Sequence, residues 1–394
     1  MQGRPVAVVT GASAGVGRAT AVALAERGFD VALLARGEAG LAAAAKDVEA
    51  AGGRALSVPT DVAVWDEVDD AAGRIERELG EIEVWVNNAM TTVFAPLADT
   101  DPADIKRATE VTYLGQVHGT MAALARMRPR NRGRVVDVGS ALSYVGIPLQ
   151  AAYCGAKFAC RGFFESVRAE LIHEGSDVTI SMVHLPAVNT PQFSWGKSAL
   201  PNHPQPVPPI YQPELAAARI VDVVFDTRRS TVLGSWNRLI VGGSKIAPSV
   251  FSDFAGRTAV EGQQTDEPVD PDRPVNLRSP VDDDEAWAAR GEFDARANGV
   301  LDPSFFTSLP EQMVSVGKSL AATLVFKLAA PVRRAALEDR IAAARGDDDG
   351  DGAVGRDWSE RDGSARDRSE RDRSERDGSE RDGPGRDDDE AVRA

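Results

Sequence analysis

Val6-Ala7-Val8-Val9-Thr10-Gly11-Ala12-Ser13-Ala14-Gly15-Val16-Gly17 reads as a buried strand that ends on three glycines and turns at once into a helix. The G-x-x-x-G-x-G spacing lets the backbone approach a ligand without side chains in the way. The helix behind it offers free N–H groups and its positive end, which suits a pyrophosphate. A glycine-rich turn also has a plain structural explanation. Its place after the first strand of a βαβ unit favours the phosphate loop, with Gly11, Ser13, Gly15, Val16 and Gly17 as the candidate contacts.

Working outward, short β-branched runs alternate with longer Ala/Leu-rich stretches up to about residue 240. Strands are expected at 6–9, 31–34, 55–58, 84–86, 134–138, 178–183 and 231–233. Helices are expected at 17–27, 38–51, 64–79, 102–128, 151–174 and 214–226. Continuous apolar strands separated by helices indicate a parallel sheet covered on both faces. Right-handed crossovers make it a Rossmann-like doubly wound α/β fold. Seven prolines between 191 and 213 exclude a long helix there, so that stretch reads as a loop of the kind that covers active sites.

Four regions follow: a catalytic domain over 1–250, an irregular acidic and Pro-rich extension over 251–310, amphipathic helices over 311–345, and a tail over 346–394. In the third, Met313, Val314, Leu320, Leu324, Val325 and Leu328 share one helical face. Such a stripe over 311–344 suits packing on the catalytic domain or an oligomer interface. A membrane surface is the less favoured use, because acidic sequence surrounds it. The tail repeats RDxSE-like units of five residues, neither a helical nor a strand period, with almost nothing to bury. Disorder is the expectation.

The net charge of −15 argues against nucleic-acid binding, which needs clustered Lys and Arg. From Asp347 to Ala394 there are 18 Asp/Glu and 10 Arg, so more than half of that charge belongs to the tail. Two cysteines, Cys154 and Cys160, are too few for a disulfide scaffold. The first residues lack the zones of a signal peptide, and no uncharged apolar run reaches the ~20 residues of a membrane span. A cytoplasmic location is the expectation. The four histidines lack metal-ligand spacing, and the acidic cluster at 347–351 lacks the bidentate Glu of a calcium loop. No metal site is assigned.

At the end of the second strand an acid would bind a ribose 2′-hydroxyl, whereas a cation would pair with a 2′-phosphate. The strand ends Leu34-Ala35-Arg36, and Asp30 comes too early to reach the ribose. Arg36 therefore favours NADP(H) over NAD(H). Further along, Tyr153 and Lys157 are four apart on one helix and share a face. A phenol titrates at about 10, and a neighbouring ammonium favours the phenolate. Tyr153 can thus exchange a proton with a substrate oxygen while hydride moves.

These features together resemble the short-chain dehydrogenase/reductase family over about residues 4–240. The matches are the glycine pattern, Asn87-Asn88-Ala89, Ser140 with Tyr153-x-x-x-Lys157, and Pro186-Ala187-Val188-Asn189-Thr190. The resemblance implies that Ser140 stabilises the substrate oxygen and that Lys157 holds the nicotinamide ribose. It implies adenine contacts from Asp61 and Val62, cofactor support from Asn88 and Ala89, and a carboxamide contact from Thr190. It also implies a homodimer or homotetramer. An ordinary strand-end turn for Asp61 and a helix N-cap for Thr190 are competing explanations.

Three departures stand out. Met90 follows Asn-Asn-Ala where the family has Gly, and packing is its favoured role. Thr112 stands where the family's fourth catalytic residue, an Asn that holds a relay water, is expected. Ala187 replaces a Gly after Pro186. The resulting expectation is an oxidoreductase that moves hydride between NADP(H) and a moderately apolar carbonyl or alcohol, with Tyr153 as acid/base. The alternative is a non-catalytic dinucleotide-binding sensor or scaffold whose C-terminal segment recruits partners.

Overall fold

In the computed structural model the described residues are 4–226, 229–282 and 287–299. The phosphate-loop strand β1 (Val6–Thr10) is buried along its whole length, because helices cover both of its faces. Around it run α1 (Gly15–Glu26), β2 (Asp30–Ala35), α2 (Glu38–Ala50), β3 (Ala55–Pro59), α3 (Trp65–Glu78) and β4 (Ile82–Asn87). Next come α4 (Pro102–Thr109), α5 (Gly115–Met127), β5 (Arg134–Ser140), α6 (Ala151–His173), β6 (Thr179–Leu185), α7 (Pro213–Phe225) and β7 (Ser230–Val232). The seven strands form one sheet in the order β7-β6-β5-β4-β1-β2-β3. Every neighbouring pair is parallel, which makes the sheet Rossmann-like and doubly wound.

Alternation along β1 divides the core in two. Ala7 and Val9 join Leu24 of α1, Leu41 of α2 and Ile220 of α7 on one face. Val6 and Val8 join Ile75 of α3, Leu124 of α5 and Phe164 of α6 on the other. The strand order reverses between β1 and β4, so their carboxyl ends open a crevice where ligands of such sheets bind.

The long helix expected over 102–128 is one continuous stretch, but a π-helical turn at Glu110–Leu114 joins α4 to α5. The Pro-rich segment 191–213 is mostly irregular, as its composition requires, and short strands pin it. Lys197–Ser198 pairs with Val93–Phe94, and Ile210–Tyr211 pairs with Ala187–Val188.

The expectation of irregular chain from 251 needs correction. Two helices, α8 (Ser235–Ile246) and α9 (Pro248–Thr258), follow β7, and the boundary at 250/251 cuts α9 near its start. Gln264–Pro268 pairs with Asn202–Pro204, and Ala297–Asn298 adds to Ile210–Tyr211. Asp, Pro and Gly dominate this region, but its few apolar groups are well used. Leu277 and Phe293 are buried against the catalytic domain. The amphipathic helices expected over 311–345 and the disorder expected over 346–394 lie outside the described residues. No helix among the described residues is long and apolar enough to cross a membrane.

One glycine sets how closely α5 approaches the sheet. A Cβ on Gly119 would overlap Asn87 Oδ1 and Trp85 Nε1, which are joined by a buried 2.8 Å hydrogen bond. Gly119→Ala is therefore expected to cost about 2 kcal/mol or more through overpacking. Gly256→Ala in α9, where a Cβ meets open space, is expected to be neutral or stabilising by up to about 1 kcal/mol. Urea unfolding of both variants checks the contrast.

Candidate active site

The crevice at the carboxyl ends of the strands is a cleft of about 520 Å³. At one end lies the glycine loop. Gly11 and Gly15 have φ of +66° and +58°, the left-handed region that favours glycine. A Cβ on Gly17 would run into Gly11 O and the Asn88 amide, so only glycine lets α1 start this close to β1. Asn88 closes the loop from the side: its Nδ2 donates to Thr10 O at 2.9 Å and Gly11 O at 3.3 Å. The amides of Asn88 and Ala89 both donate to Thr10 Oγ1, at 2.9 and 3.0 Å. Thr190 packs its methyl group above Gly15. The cradle is rimmed by backbone and by the Asn88 and Thr190 side chains, and its Gly15 amide donates to Ala288 O at 2.9 Å.

Of the remaining candidates for cofactor contact, Ser13, Val16, Arg36, Asp61, Val62 and Lys157 line the same cleft. Asp61 also serves its turn, since its Oδ1 accepts from Ala63 N, while Oδ2 pairs with Arg107. Thr190 is not a helix cap; Pro191 occupies that position for the short helix Gln192–Trp195. Arg36 is half occupied by the chain itself. Its Nη1 donates to Arg278 O at 2.9 Å and Leu277 O at 3.4 Å, and its Nη2 donates to Asn276 O.

Ser140 at the end of β5, with Tyr153 and Lys157 from the first turns of α6, meets in the middle of the cleft. Burial pushes the Tyr153 phenol well above its ordinary range, and a hydrogen bond with the Ser140 side chain offsets part of that rise. Lys157 is buried, donates to Val138 O at 2.7 Å, and lies 5.7 Å from the centre of the Tyr153 ring. Burial lowers its pKa, with Cys160 and Asp137 opposing. Asp137 accepts from Asn87 Nδ2 at 2.9 Å and Gln116 Nε2 at 3.1 Å, and burial raises its pKa to about 7.

Thr112 is brought to a different place. It lies in the π-helical turn, fully buried, and does not line the cleft. Its hydroxyl accepts from Thr91 N and donates to Thr91 O, both at 3.0 Å. Met90, expected to pack, lines the cleft instead, with Thr91 and Thr92 beside it.

The cleft has a large apolar lining. Val145, Ile147, Phe193 and Trp195 contribute to it, as do Trp236, Ile240, Phe251 and Phe254 from α8 and α9. The second group escaped the sequence reading. Its signal was present: Phe251, Phe254, Ala255 and Thr258 stand at i, i+3, i+4 and i+7, one helix face, and all four line the cleft. His184 is a buried, hydrogen-bonded histidine. Its Nδ1 faces Ser140 O at 3.2 Å, so that nitrogen carries the proton, and its Nε2 accepts from Tyr144 OH at 3.3 Å. Gly139 leaves room for the ring, since a Cβ there would press on Nδ1. Burial lowers the His184 pKa to about 4.

Comparisons with known proteins agree with this architecture. The family model described as short chain dehydrogenase matches residues 5–197. An uncharacterized oxidoreductase, YxnA of Bacillus subtilis, is 31% identical over 268 residues, covering 68% of this chain and 75% of that protein. The 3-ketodihydrosphingosine reductase of Bos taurus is 27% identical over 266 residues, covering 65% of this chain and 77% of that protein. Among solved structures, an alcohol dehydrogenase from the archaeon Thermococcus sibiricus, complexed with 5-hydroxy-NADP, superposes with a TM-score of 0.52 at 26% identity. The match covers 58% of this chain and 95% of that one.

The neutral, buried His184 makes stability depend on pH. Its folded pKa of about 4 lies below the unfolded value of about 6.5, so between them the unfolded chain takes up a proton that the folded chain refuses. Its contribution is complete above the unfolded value and is lost as pH falls toward the folded one. The expected loss between about pH 7 and about pH 4.5 is about 2 to 3 kcal/mol. Asp137, whose folded pKa is raised to about 7, opposes it by a comparable amount in both proteins, so the readout is the difference between them. The stability advantage of the wild type over His184→Gln, read from urea midpoints, should therefore shrink by that amount between the two pH values.

Proposed function

We propose that this chain, which belongs to the short-chain dehydrogenase/reductase family, reduces a ketone or aldehyde group on a largely apolar small molecule with NADPH. The observation that carries the reading is the convergence of Ser140, Tyr153 and Lys157 on the cleft that also holds the glycine cradle. Gly11, Ser13, Gly15, Val16 and Gly17 would hold the pyrophosphate, and Asn88 and Ala89 would brace it. Asp61 and Val62 would border the adenine, and Thr190 and Lys157 would hold the nicotinamide end. Bound there, the reduced cofactor supplies the hydride.

The chain's own residues do the rest. The Ser140 hydroxyl donates to the carbonyl oxygen and stabilises the charge that grows on it. Tyr153 delivers its phenolic proton to the same oxygen. Burial favours the protonated phenol, the form that gives a proton in the reductive direction. Lys157 keeps a positive charge near the ring and stabilises the phenolate left after the transfer. Thr112, with its hydroxyl shared entirely with Thr91, supports the loop after β4 and is not assigned to a relay.

Two features support the substrate and cofactor classes. The apolar and aromatic side chains from 145–147, 193–195 and α8–α9 would exclude water from the carbonyl and favour an elongated lipophilic substrate. The cattle relative bears the name of a keto reductase, which fits the reductive direction. Arg36, with no acid at the end of β2, supports NADP(H) over NAD(H), and one structural relative was solved with an NADP derivative.

Tyr153→Phe should retain NADPH binding and lose about 10²- to 10⁴-fold in kcat on a panel of lipophilic ketones. Binding without turnover by the wild type on such a panel would favour the sensor or scaffold. Arg36→Ala should weaken NADPH by about tenfold or more and leave NADH nearly unchanged, since a charge-assisted hydrogen bond is lost only with the 2′-phosphate. Fluorescence titration of both nucleotides reads the difference.

A further inference from the structure

The groups best suited to hold the anionic parts of the cofactor already touch the chain's own segments 276–282 and 287–291. Gly15 N donates to Ala288 O at 2.9 Å, and Arg18 Nη1 donates to Trp287 O at 2.8 Å. Arg36 donates to three consecutive carbonyls, of Asn276, Leu277 and Arg278. Asp282 goes further, because it brings a charge. Its Oδ2 accepts from Ala39 N at 2.9 Å and its Oδ1 from Gly40 N at 2.8 Å, the first-turn amides of α2.

The sequence around α2 makes room for this carboxylate. Gly37 has an ordinary negative φ of −84°, so its backbone does not call for glycine, yet a Cβ there would collide with the Asp282 carboxylate. At Gly40 a Cβ would press on Ser13 and touch Asp282 and Trp287. Asp282 also lines the cleft together with Ser13, Arg36 and Gly37. The amides that begin a helix attract one anion, and a second anion brought against the first meets repulsion in a partly desolvated cleft.

We propose that Asp282 is a cofactor-selecting residue, whose carboxylate on the first-turn amides of α2 disfavours the 2′-phosphate of NADP(H) relative to the 2′-hydroxyl of NAD(H). This rests on the reading of the cleft as a dinucleotide site with Arg36 at its 2′ end. β2 itself ends without an acid. The C-terminal segment supplies one from outside the strand, opposite in effect to Arg36. The net preference is then a balance between a cation on β2 and an anion delivered by the extension.

The test is to titrate full-length wild type, Asp282→Asn and Asp282→Ser with NADPH and with NADH, following protein fluorescence. Both variants should bind NADPH on the order of tenfold more tightly and NADH within about twofold of wild type, since only one nucleotide carries the extra charge. A ratio of the two affinities that stays constant, or that falls, overturns the proposal. So does an equal change for both nucleotides, which marks a packing role. Should the variants fail to fold, deuterium uptake over 276–282 in the wild type takes their place. It should rise with NADPH and not with NADH, and unchanged uptake with NADPH overturns the proposal. Arg36→Ala separates the two readings. If it lowers the NADPH preference while the Asp282 variants leave it constant, the cofactor reading stands and the Asp282 proposal alone falls. If the wild type binds neither nucleotide, both fall.

Discussion

A single hydroxyl holds the crevice together. Thr10 Oγ1 at the end of β1 accepts the amides of Asn88 and Ala89, just past the end of β4, and faces Val86 O at 3.4 Å. β1 and β4 are the parallel neighbours between which the strand order reverses, and the hydroxyl gives these two amides an acceptor just past the end of their pairing. With that knot tied, Asn88 can reach back to the carbonyls of Thr10 and Gly11 and fix the glycine loop from the side. Gly17 then brings α1 down onto the loop. The cradle, the crevice and the position of everything that faces them follow from this junction.

The reacting groups face the cradle from strands and a helix on the other side of the same knot. Ser140 ends β5, and Tyr153 and Lys157 open α6, so backbone geometry delivers all three to one place. Lys157 is held by Val138 O, one strand residue from Gly139, whose missing side chain admits His184. His184 in turn grips Ser140 O and is gripped by Tyr144. Tyr144 lies between two cations, with Arg161 4.1 Å and Lys245 4.7 Å from its ring centre. The position of Ser140 is therefore tied to α6 and α8 as well as to its own strand.

Sequence was most informative where side chains carry the message. Buried parallel strands carry near-continuous apolar runs, so β1, β2 and β4 announced themselves. The glycine spacing and the pair Tyr153 and Lys157 named their chemistry through residue type. It was less informative where tertiary contact decides. The face formed by Phe251, Phe254, Ala255 and Thr258 was obscured by Asp253, Gly256 and the Pro- and Asp-rich chain that follows. Thr112 stood in the right register, but the π-helical turn aims its hydroxyl at Thr91. The grip of residues 276–278 on Arg36 and of Ala288 on Gly15 was invisible for a simpler reason. It is made by backbone carbonyls, which every residue possesses and no residue type advertises.

That last class of contact changes how the charge on β2 should be understood. A strand-end arginine is normally read as open to a phosphate, because its five donors need acceptors and the strand supplies none. In this chain three carbonyls from residues 276–278 supply them. Carbonyl acceptors are neutral, so they orient the guanidinium without cancelling its charge. The nearby Asp61 carboxylate pairs with Arg107 and also acts on Arg36 from a distance. A phosphate entering there would meet a cation already fixed in place, and the ordering cost of holding a long side chain would fall on folding rather than on binding. The extension thus plays two opposed parts at one end of the cleft. Its carbonyls preorganise the cation, and its carboxylate occupies amides that an incoming anion would otherwise use.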